Sequence, residues 1–226
     1  MAFTPAFPIP AVLGFLLACL VALGAGAAVG LAVLLRRVEL ARKILLGAIA
    51  AGALYVVVLV GVSLASDARE LGPGEWKYFC EVDCHLAYTV TGVERVKTLG
   101  GATAAGEFWV VTLTVWFDEN TISSQRPKDM PLAPPARKAR VVDASGRQYP
   151  VSAAGQQALE AARANVPLCR PLRPGESHPT ELVFDLPEGV RAPRLLLTTA
   201  DLPVNFIIGH ESSLLHKKIS FRLVTD

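Results

Sequence analysis

Two uninterrupted apolar runs near the start of the chain decide what the rest can be. Residues 11–35 (AVLGFLLACLVALGAGAAVGLAVLL) span 25 positions without a charge, and residues 44–65 (ILLGAIAAGALYVVVLVGVSLA) span 22. A bilayer core about 30 Å thick needs roughly 20 apolar residues at about 1.5 Å rise, so each run is long enough to cross, the first with some tilt. Between them lies the segment 36–43 (RRVELARK), with four cations against one anion. A short loop this basic belongs in the cytoplasm. The expected topology is a helical hairpin in a bacterial inner membrane, with both termini periplasmic. A cleaved secretory signal does not fit, because residues 1–10 carry no Lys or Arg and the first run exceeds the usual core of about 7–15 residues.

Charge and composition narrow the remaining classes. From Ser66 onward there are 18 Lys and Arg against 19 Asp and Glu, a near-neutral body with no field to gather nucleic acid or steer an anionic substrate. The membrane hairpin itself carries no charge at depth, which argues against a channel or transporter.

The body after the hairpin reads as strands. In residues 80–90 the even positions (Cys80, Val82, Cys84, Leu86, Tyr88, Val90) are apolar and the odd ones include Glu81, Asp83, His85 and Thr89, which predicts one buried and one wet face. Trp109, Val111, Leu113, Val115 and Phe117 predict a second strand, and residues 139–142 a third before the Asp143-Ala144-Ser145-Gly146 turn. Leu182, Phe184 and Leu186, then Ile219, Phe221 and Leu223, alternate in the same way. Residues 194–199 and 204–208 are further strand candidates, and 153–164 is a helix of strong helix formers. Seven or eight short strands imply two packed sheets. The expected organisation is a hairpin at 1–66 (helices about 11–35 and 44–65), a linker at 67–76 containing Gly72-Pro73-Gly74, and a periplasmic β-sandwich at 77–226. Trp109, Leu113, Phe117, Phe184 and Phe221 should lie between its sheets.

Several stretches carry a family resemblance. GEFWVVTLTV (106–115), VVDASGRQY (141–149) and LRPGESHPTELVFDLPEG (172–189) resemble the DUF4352-like, immunoglobulin-like extracytoplasmic domains of bacteria. The likeness covers about residues 84–225 and is carried by Pro174-Gly175-Glu176 and Leu182-Val183-Phe184-Asp185-Leu186-Pro187. The long segment 119–137 and the Cys80/Cys84 pair depart from the pattern. The resemblance implies an all-β immunoglobulin-like sandwich outside the cytoplasm and no shared catalytic residues.

Chemistry, if any, would sit at Cys80-Glu81-Val82-Asp83-Cys84-His85. As CxxxCH this is one residue longer than a haem c attachment motif, so Cys80, Cys84 and His85 form a haem alternative. A binuclear copper loop would want a His four residues after the second Cys, where Tyr88 stands. The structural reading is two cysteines on a strand, about 13 Å apart at about 3.3 Å per residue. Cys19 sits in the first apolar run as a filler, leaving three cysteines in an oxidising compartment. An extended strand prevents Cys80 from bonding Cys84, so the expected bridge joins Cys169 to Cys80, with Cys84 as the alternative partner. A local Cys80–Cys84 bond requires a turn.

His85, His178, His210 and His216 show no metal-binding spacing. At most His210, Glu211 and His216 could meet His85, and solvated loop histidines are the simpler account. No nucleophile elbow, phosphate loop or carboxylate pair appears, so no enzyme activity, cofactor, metal or small-molecule substrate is assigned. Segment 119–137, with three prolines within 131–135, suits an extended contact segment or a surface insertion.

One helix would suffice as a tether. The second doubles the lateral contact surface, and Ala22, Gly26 and Gly30 recur every four residues, as do Ala48 and Gly52. Small residues let helices approach closely in lipid, so these five are the expected helix-packing interface. Leu20, Leu31, Leu34 and Tyr55 are expected to face lipid, pigment or partner side chains. The expected function is an accessory subunit of a respiratory or photosynthetic membrane complex, with lipid and other integral membrane subunits as partners. A membrane-anchored redox carrier using Cys80, Cys84 and His85, and a periplasmic ligand-binding or envelope module, are the rivals.

Overall fold

A computed structural model describes residues 8–79, 85–122, 126–127, 129–199 and 203–223. It divides into two compact units: the helical hairpin (6–67) with segment 202–217, and a β unit formed by 68–201 and 218–226.

In the helical unit, α1 (Pro8–Leu34) and α2 (Val38–Leu64) are each long and apolar enough to cross a membrane. Glu39, Arg42 and Lys43, expected in the loop, are helical. The connection shrinks to residues 35–37, with Arg36 in the left-handed region (φ 55°). Continuing the helix satisfies the backbone of these residues, while long cationic side chains can still reach water from an end turn.

The β unit is a sandwich of two sheets. One holds β2 (Lys77–Tyr78), β3 (Leu86–Leu99), β4 (Ala102–Phe117) and β7 (Ser177–Leu186), in the order β2-β3-β4-β7, all antiparallel. The other holds β1 (Arg69–Leu71), β5 (Arg137–Val142), β6 (Gln148–Pro150), β8 (Arg194–Thr199) and β9 (Ile219–Arg222), in the order β1-β9-β8-β5-β6. β1 lies in the stretch expected to be a linker and pairs parallel with β9, Leu71 opposite Phe221. Its Leu71 is fully buried, which gives this short segment an apolar reason to join the sheet.

Trp109, Leu113, Phe117, Phe184 and Phe221 are all buried in one core cluster between the sheets. The first long strand starts at Leu86 and runs to Leu99, and its early half is buried on both faces, Ala87 and Thr89 included. Tyr78, Trp76 and Trp116 pack against Ala87 and cover the face expected to be wet. Farther along, α3 (Ala153–Ala162) lies on Ala104, Phe108, Val110 and Val183 through Leu159. A Cβ on Gly155 would stand 2.6 Å from Val183 Cγ1, so the missing side chain is what lets α3 rest so close to the sheet. Ser152 starts the helix by accepting from Gly155 N–H at 3.2 Å. The expected strand at 204–208 is not one. Residues Pro203–Phe206 form a 3-10 turn within the helical unit.

Candidate functional site

Cys80 and Cys84 lie outside the described residues, but the residues that bracket them are well placed. The strand pairing brings the start of β3 against the end of β4, Leu86 opposite Phe117, so His85 and Asp118 become neighbours. Asp118 N–H donates to the His85 carbonyl at 2.8 Å, and the His85 ring stacks on Phe117 with centroids 5.5 Å apart.

A polar network grows from this junction. Tyr78 Oη donates to Asp118 Oδ2 at 2.7 Å, and Asp118 Oδ1 accepts from the backbone and side-chain amides of Asn120, each at 3.0 Å. Thr121 Oγ1 donates to the Asp118 carbonyl at 2.7 Å and stands 2.6 Å from His85 Nδ1. Because the single hydroxyl proton points at the carbonyl, Thr121 Oγ1 is left to accept from His85 Nδ1–H. Burial, and after it the hydrogen bond and charge of Asp118, push the Tyr78 phenol far above its ordinary range. Tyr78 is therefore a fixed donor at physiological pH. Tyr78→Phe leaves a buried carboxylate short of a donor and should cost about 1.5–3 kcal/mol, read as a lowered melting temperature. An unchanged melting temperature would show that water replaces the phenol without loss.

Cations gather beside the network. Lys77 is fully buried and its Nζ donates to the carbonyls of Leu197 (2.8 Å) and Ile219 (3.1 Å) while lying 4.7 Å from the Phe79 ring centre. Arg137 sits on the same ring at 3.9 Å and donates to Thr199 Oγ1 at 2.7 Å. Arg126 lies 5.7 Å from the Phe117 ring centre. The arrangement fastens the Asp118–Thr121 turn and the ends of β2 and β3 to one another. It offers hydrogen bonds and positive charge, with no nucleophile beside a base among the described residues.

The expected bridge from Cys169 runs to Cys80 or Cys84, which lie outside the described residues. Cys169 is a free, exposed thiol on a turn closed by Arg170 N–H to the Pro167 carbonyl at 3.0 Å, which directs it to solvent. Cys19 is likewise free and exposed on α1. His178 is buried on β7, opposite Val115. Burial above all, with Arg170 nearby, holds its imidazole below the ordinary value of 6.5, and the Pro167 carbonyl opposes this in part. The unfolded chain protonates first as pH falls. The stability linked to His178 is therefore intact above about pH 7 and lost as pH drops through about 6.5 toward the lowered folded value. Melting temperature should fall over that window in the native protein and less steeply in His178→Gln; parallel curves would locate the acid sensitivity elsewhere.

His210 and His216 are held in local turns: His210 Nδ1 accepts from Ser212 N–H at 2.9 Å, and His216 Nδ1 donates to the Lys217 carbonyl at 2.7 Å. Among the described residues no three His, Cys, Asp or Glu side chains converge as a metal site. The long segment 119–137 is tied down midway, where Leu132 and Leu172 exchange backbone hydrogen bonds at 2.8 and 3.0 Å.

The small-residue stripes come together, though not by close contact. Ala22, Gly26, Ala48 and Gly52 border one apolar cleft of about 660 Å³ between α1 and α2, while Gly30 does not line it. A Cβ added to Gly26, Gly30 or Gly52 would meet nothing within 4 Å. The helices bury alanines instead, Ala32 and Ala41, beside the 35–37 connection. Leu20, Leu31 and Leu34 are exposed as expected. Tyr55 is not among the outward residues: its hydroxyl donates to the Phe206 carbonyl at 2.6 Å.

No family model and no curated protein matches the chain. Among solved structures, the chain is similar to MPT63, a secreted protein from Mycobacterium tuberculosis, at 14% identity and TM-score 0.44, over 71% of this chain and 100% of that one. It is also similar to an uncharacterized β-sandwich protein from Clostridium difficile at 11% identity and TM-score 0.42, over 70% and 96% of the two chains. A conserved hypothetical protein from Bacillus anthracis matches at 16% identity and TM-score 0.36, over 50% and 81%.

Proposed function

We propose that this chain is a non-catalytic accessory subunit of a larger bacterial membrane complex, respiratory or photosynthetic. A helical hairpin holds it in the inner membrane, and an immunoglobulin-like sandwich of the DUF4352-like kind stands on the periplasmic face. The observation that carries the reading is the cleft between α1 and α2. Gly26 and Gly52 border it with open space where a Cβ would be, so the hairpin does not use its own small residues to close. Small residues along an apolar cleft suit a helix from another subunit, because association in lipid depends on close backbone approach and packing. The basic residues at 36–43 set the cytoplasmic side by the positive-inside rule.

Two measurements test this. On a native gel of gently solubilised membranes, the protein should migrate with partner subunits; a lone species near 24.1 kDa plus detergent would end the proposal. The exposed thiol of Cys169 should react with a membrane-impermeant maleimide applied outside spheroplasts, with no prior reduction. Labelling only after lysis would reverse the topology.

A further inference from the structure

The segment between β8 and β9 keeps three large apolar side chains in the open, which is costly for a loop in water. Residues 203–217 fold as successive tight turns and lie along the last three turns of α2. There Tyr55 donates to the Phe206 carbonyl at 2.6 Å, Val62 Cγ1 stands 3.8 Å from where a Gly209 Cβ would be, and Lys217 N–H donates to Ser66 Oγ at 2.9 Å. Glu211, Ser213 and the α2 residue Ser63 are all buried, together with the apolar Val204 and Ile207. Large apolar residues turn outward: Phe206 is 48% exposed, Leu214 49% and Leu215 65%. On α2, Leu54, Val58 and Val62 are exposed as well.

Several backbone groups of the segment bond within it. Ile207 N–H donates to the Val204 carbonyl, His210 to Ile207, Ser213 to His210, His216 to Ser213 and Leu214 to Asn205, at 2.9–3.3 Å. The Ser213 hydroxyl donates to the Ile207 carbonyl. Non-helical backbone is tolerated in hydrocarbon only when its polar groups are satisfied within the protein. Depth follows from position along α2. Tyr55 is twelve residues after Lys43 and twelve before Asp67, about 18 Å from either charge at about 1.5 Å per residue, hence near the centre of a core about 30 Å thick. A segment that touches Tyr55 and Val62 of α2, and Ser66 just past its end, occupies one leaflet.

We infer that residues 203–217 are a re-entrant membrane segment in the leaflet at the C-terminal end of α2, with Phe206, Leu214 and Leu215 against lipid acyl chains. This rests on the reading that α2 spans the membrane. The full-length protein, expressed in bacterial membranes with p-benzoylphenylalanine in place of one residue at a time, tests it by photocrosslinking and mass spectrometry. Position 57, where the exposed Val57 of α2 stands, reports on the spanning reading. Position 145, the exposed Ser145 of the β5–β6 turn, is the aqueous control. Phospholipid adducts at 57, 206 and 215, with none at 145, are the expected result. Adducts at 57 with none at 206 and 215 would overturn the re-entrant segment alone; absence at 57 as well would overturn the spanning helix. Protein adducts in place of lipid at 206 and 215 would assign this face to a partner subunit and overturn the lipid assignment.

Discussion

Phe184→Ala is expected to destabilise the sandwich by about 3–5 kcal/mol, the range for removing a buried aromatic ring from a packed core. Phe184 is fully buried on β7, directly opposite Trp109 on β4, in the cluster that also takes Leu195 and Leu197 from β8 and Phe221 from β9. It thus packs where both sheets meet. β4 pairs with β3 and with β7 along most of its length, which prevents collapse into the vacated space. The measurement is thermal or denaturant unfolding of the full-length protein in detergent, followed by tryptophan fluorescence, since Trp109 reports on the same core. A midpoint within a few tenths of a kcal/mol of the native protein would mean the site relaxes around the loss.

The alternation that points to Phe184 is a local signal, and local signals carried far in this chain. The period-two pattern at Trp109–Phe117, Leu182–Leu186 and Ile219–Leu223 was enough to place five core residues, because each strand presents one face to a core that the other sheet completes. What escaped is non-local. β1 is a three-residue strand whose only reason to pair is Leu71 meeting Phe221, about 150 residues later, and no pattern that short stands out beside Gly72-Pro73-Gly74. The face expected to be wet, which also carries Ala87, is covered there by Tyr78 and Trp116, which adjoin Ala87 only after β2, β3 and β4 pair. Segment 204–208 reads as a strand because it is apolar. It forms a turn instead, and its Phe206 carbonyl accepts from Tyr55 of α2, again about 150 residues away.

The candidate site divides in the same way. Cys80, Cys84 and His85 were visible as a motif, yet the groups that hold His85 are Thr121 and Asp118, with Tyr78 completing the network. A tyrosine and an aspartate forty positions apart carry no spacing signature, so only the fold brings them into one hydrogen bond. Cys169 stands apart from this network. Counting cysteines in an oxidising compartment made it a bridge, whereas a tight turn at Pro167–Arg170 faces it outward. The pairing rule speaks to which thiols exist, while the backbone decides which can meet.

Gly26→Leu is expected to release the protein from its assembly while leaving the hairpin folded. Within the chain the substitution should be well tolerated, since a Cβ at Gly26 meets nothing within 4 Å and leucine is a better helix former than glycine by nearly 1 kcal/mol. Its cost falls on whatever enters the cleft that Gly26 borders with Ala22, Ala48 and Gly52. A branched side chain there holds an incoming helix away from the backbone and removes the packing that drives association in lipid. Gly30→Leu is the matched control: the same change on the same helix, also into open space, at a position that does not line the cleft. On a native gel, Gly26→Leu should run as the free subunit and Gly30→Leu with the complex, while unfolding of the sandwich is the same in both. If Gly26→Leu stays in the complex, the cleft is not the docking site, and attachment must run through the sandwich, with the Leu132–Leu172 tether of the 119–137 segment as the first place to probe.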